Sequence, residues 1–574
     1  MSRWSLTVQP ATRFDPPLPV ILGAVALFAA ALWLRLGGTA WDGWANLHPD
    51  ERHMVFVTQD LQRAIEGALA GGRGWWDIWF GPDSPLDPRA EGRLYVYGDL
   101  PLLVVTFLSR ATGLTDWGST LWLGRTVTAV VEASTVLAVF ILALRLIGRP
   151  GAALAAATLA GLAPTSLQLA NFYTVDPWLS ALSLWALLAL SVLARRQAVG
   201  QTIVAGILIG LAGASKVTAV ALVLPALVVV ILVWRTKGAR AAAVPLVVGF
   251  IAALVTFRLA NPSAFTGPGF WGLWPSAEML ADFAEVRAFI RDPNPPPNWF
   301  WQAGYPTWAL ARDMLLFGTG PVLSLLALAA LTRRPTTPLA LVLLAALVAH
   351  LALNATGEVR ALRYLAPVIP LVAVLAAPLL VRPALALVAV LVALWWGWGT
   401  VRLHDGQHPR VIATEWMRRL PADSAIAFET GWDDGLPVWQ TFPASDWSTM
   451  PGPFTFVPLG LTDFEEPTSA ARIAAALDQA DYLSISSGRV IEVMPRLPKR
   501  FPTVSRYYAA LLDGRLCFRR ILYVDRGYPL PGLPFNDRFA QEPWRVYDHP
   551  IVQIWQKEPC FDRSRAERIL AGQD

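Results

Sequence analysis

Residues 17–53 read PLPVILGAVALFAAALWLRLGGTAWDGWANLHPDERH. The first half is a charge-free run close to the ~20 apolar residues that a helix needs to cross a bilayer. The second half ends, after a short Trp-bearing loop, on adjacent Asp50 and Glu51 with His48 and His53 on either side. Two questions follow from this stretch: how many more spans the chain makes, and on which side of the membrane the acids lie.

Composition already narrows the class. The 574 residues are 55% hydrophobic and 16% charged, with a mean hydropathy of +0.44. Soluble domains carry about 25% charged residues, so the chain reads as an integral membrane protein. A net charge of +5 is small for this length and does not suggest a nucleic-acid partner. The two cysteines, Cys517 and Cys560, have neither zinc-finger nor redox spacing. The opening MSRWSLTVQPATRFDPPLP lacks the short n-region and cleavage site of a signal peptide, so the first apolar run is expected as a retained span.

Long apolar windows lie at 17–34, 119–144, 150–175, 177–194, 197–215, 217–234, 241–257, 314–332, 335–357, 364–381 and 383–401. They predict about eleven transmembrane helices. Alternate connections carry Arg145 and Arg149, Arg195 and Arg196, Arg235 with Lys237 and Arg240, Arg333 with Arg334, and Arg382. With Arg3 and Arg13 these fall on one side, which the positive-inside rule makes cytoplasmic. The other side receives 35–118, 259–312, the 355–363 loop and everything after 402. A multi-pass protein of the cytoplasmic (inner) cell membrane is expected, N-terminus inside and C-terminal region outside.

Within the first outer loop, a helix over roughly 50–70 starts on Pro49-Asp50-Glu51, which suits a first turn and the helix dipole. DLPLLVVTFLSRAT (99–112) is apolar but short, and predicts an interfacial or re-entrant helix. The pattern predicts two domains: a membrane part over 1–401, and a soluble α/β domain over 402–574. In the second, SAIAFE, DYLSIS, LCFRRILYV and PIVQIWQKE are β-like and TSAARIAAALDQA is helical. An outer location would permit a disulfide between Cys517 and Cys560.

Several residues invite chemistry, each beside a plainer reading. Asp50-Glu51 is either an acid-rich helix start or a base at the low-dielectric edge of the bilayer. Asp176, in QLANFYTVDPW, is either a polar turn residue before Pro177 or a group facing a cavity. Lys216 breaks the positive-inside pattern, and Arg360 and Arg363, three apart, share a helix face near Glu358. Snorkelling explains such charges; a pocket for a phosphate explains them as well. Arg125 and Arg258 lie near outer helix ends. Glu132 sits mid-span, as a structural pair or a channel marker. His48, His53, Asp50 and Asp99 contain donors that suit zinc, manganese or magnesium, in a spacing that matches no dedicated motif, so a divalent metal and none at all both stay open. In 402–574, Asp433-Asp434 of GWDDGLP reads more simply as a turn.

The order PDERHMVFVTQDL, YGDLPLLV, LGRTVTAVVEASTVLAVFILALRLIG, NFYTVDPWLSALSLWALL, GASKVTA and EVRALRYLAPVIP resembles the polyprenol-phosphate-dependent glycosyltransferases of the GT-C fold. Protein O-mannosyltransferases and lipid A aminoarabinose transferases are the relatives it is similar to, over about residues 15–400. The resemblance implies an outward catalytic cavity, with Asp50 as base beside Glu51, and Asp176 at the start of a later span. It places Lys216, Arg363 and Tyr364 at the donor phosphate, where Arg360 could join them. Some relatives carry a lysine beside the acid in the interfacial helix; Gly98-Asp99-Leu100-Pro101 has the acid alone. The expected partners are a polyprenyl-phosphate-linked sugar and a protein, lipid or glycan acceptor. A transporter or lipid flippase is the alternative, and a third reading makes the membrane part an anchor for the outer domain.

Overall fold

The computed structural model describes residues 17–89, 92–196, 198–292, 294–355, 357, 359–429, 435–438, 454–463 and 465–573. Backbone polar groups that meet lipid must be satisfied internally, and helices do this within one segment. In chain order these are α1 (Leu18–Gly37), α2 (Pro49–Ala70), α3 (Trp75–Phe80), α4 (Asp99–Thr112), α5 (Trp117–Ile147), α6 (Pro150–Gly161), α7 (Pro164–Leu169), α8 (Asp176–Arg196), α9 (Val199–Ser215), α10 (Val223–Lys237) and α11 (Ala239–Ala260). A two-residue antiparallel pair, β1 (Phe265–Thr266) with β2 (Trp274–Pro275), follows. Then come α12 (Ala277–Arg291), α13 (Pro296–Gln302), α14 (Thr307–Asp313), α15 (Pro321–Leu331), α16 (Pro338–Ala355), α17 (Val368–Ala376) and α18 (Pro383–His404).

Each of the eleven apolar windows is helical. Among the described residues, seven helices are long and apolar enough to cross a membrane alone, and α6, α9 and the 368–379 stretch containing α17 are shorter apolar helices. The remaining window is a bent pair, with 119° between the α14 and α15 arms. The bend falls where Gly320 takes φ 80° and Pro321 opens α15; the glycine tolerates the left-handed backbone and the proline cannot continue a helix ladder. Pro164 splits the 150–175 window into α6 and α7 in the same way. Helices α9 and α11 pack backbone to backbone: a Cβ on Gly206 would stand 2.5 Å from the carbonyl oxygen of Gly249. Small residues permit such an approach between membrane helices.

The chain divides into two compact units. The first holds the described residues of Met1–Thr39, Asp50–Arg287 and Ala311–Val401; the second holds those of Ala40–Pro49, Ala288–Leu310 and Arg402–Asp574. In the second unit, α19 (Pro409–Met417) leads into β3 (Ala425–Phe428) and β4 (Thr455–Pro458). Next are α20 (Ser469–Gln479), β5 (Tyr482–Ile485), α21 (Pro502–Leu512), β6 (Phe518–Val524), β7 (Tyr528–Leu530) and β8 (Leu533–Phe535). Last come α22 (Glu542–Arg545), β9 (Val552–Lys557) and α23 (Arg563–Ala571). Five strands form a mixed sheet in the order β4-β3-β5-β9-β6, with β3 parallel to β4 and β5, and β9 antiparallel to β5 and β6.

The period-two alternation of these strands is what builds a covered sheet. Ala427, Leu483, Ile485 and Trp555 face a core with Ile473, Leu477, Tyr507, Tyr508 and Ile569. The alternate Ile426, Tyr482, Val552 and Ile554 pack with Ala413 and Met417 of α19. Helices therefore cover both faces, the α/β arrangement that the sequence pattern predicted. Cys517 and Cys560 form a disulfide, with Cα atoms 5.7 Å apart. Close by in sequence lies a fully buried ionic group. His549 bridges Asp548 and Asp537, the latter at 2.7 Å, and Asp548 also meets His404 at 3.2 Å. Burial opposes the imidazolium, but the two carboxylates push His549 up to about 10.

Candidate active site

Asp50 is the second residue of α2, after Pro49, so the helix start itself presents its carboxylate. Its Oδ2 accepts a hydrogen bond of 2.5 Å from an Arg363 guanidinium NH. The two side chains are 23% and 25% exposed, which leaves the pair open to a ligand. Across the same group, Lys216 Nζ donates to Asp176 Oδ1 at 2.6 Å. Asp176 begins α8, and Lys216 ends α9 in extended backbone at φ −157°, ψ 135°. Tyr364 joins the two pairs: its ring centroid is 5.0 Å from Lys216 Nζ and 5.5 Å from the Arg363 guanidinium carbon. Cations over a tyrosine face gain about 0.5–2 kcal/mol and are held without a carboxylate.

Tyr97 belongs to this constellation. Burial, then the Asp50 and Asp176 carboxylates, push its hydroxyl well above the ordinary tyrosine range, while Arg363 opposes them. It is therefore a neutral donor beside two acids. His53, one turn into α2, is lowered by burial while Asp50 opposes the shift, so a neutral imidazole stands near Asp50.

Glu51 plays a different part from its neighbour. It is fully buried and takes two hydrogen bonds from Arg125, at 2.8 and 2.6 Å, and a third from the Tyr173 backbone N–H at 2.8 Å. Arg125 also donates to the Thr39 carbonyl at 2.6 Å. A buried charge survives only when paired and hydrogen-bonded. The fork here ties α2 to α5 and to the segment before α8, and so fixes where Asp50 points. Mid-span Glu132 is paired with Arg35, which also donates to the Ala31 carbonyl at 3.0 Å and the Gly161 carbonyl at 3.3 Å. This is the structural reading of Glu132.

Asp99 opens α4 and is completely buried. Ser263 donates to it through its backbone N–H at 3.0 Å and its hydroxyl at 2.9 Å, and Asn261 accepts from the Asp99 N–H at 2.8 Å. Burial pushes its carboxyl up to about 7, against those hydrogen bonds and the charge of Arg89. Gly98 lets the chain reach this place. A Cβ there would stand 2.0 Å from the Ala214 carbonyl oxygen, and the Gly98 N–H bonds the Ser215 carbonyl at 3.1 Å. The α4 start is thereby locked against the end of α9, one residue before Lys216.

The other sequence candidates lie elsewhere or act structurally. Arg258 is buried and donates to the carbonyls of Pro262, Gly269 and Phe270, between the rings of Phe80 and Phe265. Arg360 donates to the Gly357 carbonyl at 3.4 Å. Glu358, Asp433 and Asp434 lie outside the described residues. His48 is buried in the second unit against Tyr547, with ring centroids 4.1 Å apart. Among the described residues, no group of three or more His, Cys, Asp or Glu side chains is placed to hold a metal ion. His48, Asp50 and Asp99 thus do not meet as such a set. Sequence reasoning overlooked Arg35, Tyr97 and Tyr173. Arg35 stands directly after the first apolar run and Tyr97 within YGDLPLLV, but neither breaks a pattern there.

Residues 99–260 match the family described as dolichyl-phosphate-mannose-protein mannosyltransferase. No curated protein sequence matches the chain significantly. Among solved structures, the fold is similar to that of the oligosaccharyltransferase AglB of Archaeoglobus fulgidus in complex with an inhibitory peptide and a dolichol-phosphate. That match has a TM-score of 0.50 at 14% identity, covering 89% of this chain and 75% of that one. The oligosaccharyltransferase of the same organism tethered with an NVT acceptor peptide matches with a TM-score of 0.50 at 12% identity, over 93% and 88% of the two chains. ArnT from Cupriavidus metallidurans bound to undecaprenyl phosphate aligns over 69% and 72%, at 18% identity and a TM-score of 0.41. The fold is GT-C, in a multi-pass membrane protein with an α/β second unit. Residues 99–260 thus carry the likeness to a mannosyltransferase family, within a chain whose fold is GT-C.

Proposed function

We propose that the chain moves a sugar from a polyprenyl phosphate to an extracytoplasmic hydroxyl by a single inverting displacement. The observation that carries this reading is the pair of ion pairs, Asp50 with Arg363 and Asp176 with Lys216, gathered around Tyr364. A phosphate entering there competes with the two carboxylates for two cations, and guanidinium binds it through two hydrogen bonds at once. Arg363 turned onto the phosphate withdraws its guanidinium from the Asp50 carboxylate. Asp50 then takes the proton of the acceptor hydroxyl as the acceptor oxygen bonds to the anomeric carbon and the bond to the phosphate oxygen breaks. Lys216 and Arg363 stabilise the charge left on the phosphate. Asp176 orients Lys216, and Glu51 positions α2. A divalent metal has no assembled ligand set among the described residues, and no step is routed through one.

Sidedness supports the same reading. The arginine-rich connections support a cytoplasmic N-terminus and an extracytoplasmic C-terminal region under the positive-inside rule. The Cys517–Cys560 bridge fits an oxidising exterior.

The test uses purified chain in nanodiscs, offered polyprenyl phosphate sugars one at a time, with release of free polyprenyl phosphate as the readout. Wild type releases lipid phosphate with one donor, Asp50→Asn loses turnover by about 10²–10⁴-fold while still binding that donor, and Lys216→Met raises the donor KM. Equal turnover by Asp50→Asn would remove Asp50 from the chemistry. Uptake or lipid scrambling indifferent to Asp50→Asn would replace the transferase reading with a transporter.

A further inference from the structure

The second half of α2, the last turn of α4 and the loop after it border an open cavity of about 360 Å³, lined by Gln59, Gln62, Arg63, Glu66, Arg110 and Thr115. None of these residues serves the ion pairs described above. The side chain that sets the cavity apart is Gln62. It is only 5% exposed, and its Nε2 has no hydrogen-bond partner among the described residues. Its backbone carbonyl, by contrast, accepts from Arg110 at 3.3 Å. A buried amide donor left unpaired costs about 1–3 kcal/mol; Nε2 is sealed from solvent, so a turn of the amide about its last bond is what would bring it to a ligand's oxygen in the cavity.

We propose that this cavity is a distal subsite for a glycan acceptor, so that the acceptor is an oligosaccharide rather than a single small hydroxyl compound. The proposal rests on the glycosyl-transfer reading and names the acceptor of the same site. The chemistry of the lining makes the choice. Two carboxamides and one hydroxyl both donate and accept, two guanidiniums donate, and one carboxylate accepts, which matches the mixed demand of neighbouring sugar hydroxyls. No aliphatic or aromatic side chain lines it, so it offers nothing to a polyprenyl chain or to an apolar peptide side chain. Glu66 beside the arginines argues against a bare anion. Placement supports a chain rather than a ring. Gln62 is twelve residues beyond Asp50 on the same helix, about 18 Å along its axis at 1.5 Å per residue, farther than one sugar extends. One rigid helix therefore carries the base at its start and the subsite near its end.

The test needs no turnover. Fluorescently labelled full-length protein in nanodiscs is applied to an array of immobilised glycans running from monosaccharides to octasaccharides, with hydroxyl-rich peptides alongside. Oligosaccharides are expected to be retained better than their terminal monosaccharides. Gln62→Leu, which removes the orphan donor, should weaken retention about tenfold, the worth of one hydrogen bond to a buried partner. Arg63→Ala and Gln59→Ala, on side chains that reach solvent, should weaken it without lowering the melting temperature, so that loss of folding is not mistaken for loss of binding. Retention unchanged in all three variants, retention of peptides instead of glycans, or no preference for length would each overturn the proposal. Because binding alone is read, failure of lipid phosphate release would sink the transferase reading and leave this result standing on its own.

Discussion

Asp50 and Glu51 show how little adjacency says about role. The sequence marks both as acids at a helix start, and nothing local separates them. Their partners do: Arg363 lies in a single 3-10 turn, Leu362–Leu365, far along the chain and is part-exposed, whereas Arg125 is buried. An exposed pair contributes about 0–1 kcal/mol, while stripping one member from a buried pair costs about 3–5 kcal/mol. Asp50→Asn should therefore leave the thermal unfolding of the purified protein nearly unchanged and abolish turnover. Glu51→Gln should lower stability by several kcal/mol and reduce activity only along with it. The opposite ranking, read by thermal melts and lipid phosphate release on the same preparations, would exchange the two assignments. Lys216 stood out because it broke a charge pattern, and Asp176 because it interrupted an apolar run. Tyr97 and Arg35 did neither, and their roles exist only once the helices are packed.

At the level of elements, helices longer than a bilayer core are the most legible objects in such a chain, because lipid permits few alternatives. The breaks inside two windows were also visible, as Pro164 and as the Gly320-Pro321 pair. In the second unit β4, over TFVP, is too short to show a period, and α21 and α23 carry polar residues that blur the apolar stripe. The start of α4 yields a pH prediction. Asp99 titrates at about 7 when folded, against an ordinary 3.8, so the folded state holds a proton that the unfolded chain has released. Stability contributed by that proton is full below pH 3.8 and is lost as pH rises to about 7. Melting temperature should fall across that window for this reason, and Asp99→Asn should flatten the curve and melt higher than wild type at pH 8. An unchanged slope in the variant would mean that Asp99 is not the titrating group. Gly98→Ala forces a methyl against a backbone oxygen that cannot swing away, and should cost activity by shifting the end of α9 beside Lys216.

On the scale of the whole molecule, composition and arginine placement told the membrane class and an order of spans. They gave no hint that residues 40–49 and 288–310 fold with the C-terminal region, since contacts between distant segments leave no local period. The disulfide lends itself to measurement at this scale. Closing a 43-residue separation removes about 4 kcal/mol of chain freedom from the unfolded state in the entropic account. Cys517→Ser should lower the unfolding transition of the second unit, and a reducing agent should do the same to wild type but not to the variant. Identical melts with and without reductant would show that the bridge carries no stability.

The resting ion pairs around Tyr364 also bear on how the reaction cycle ends. A donor phosphodiester arrives with one negative charge, but the lipid phosphate left behind is a monoester whose second pKa is near 6 and whose charge at pH 7 is about −1.5 to −2. If Lys216 and Arg363 hold the donor phosphate as proposed, they would hold the spent lipid more tightly than the fresh one. On the proposed reading, the product should inhibit the reaction, and raising the pH above 6 should slow its departure. Asp50 and Asp176, by reclaiming their cations, become the groups that expel it.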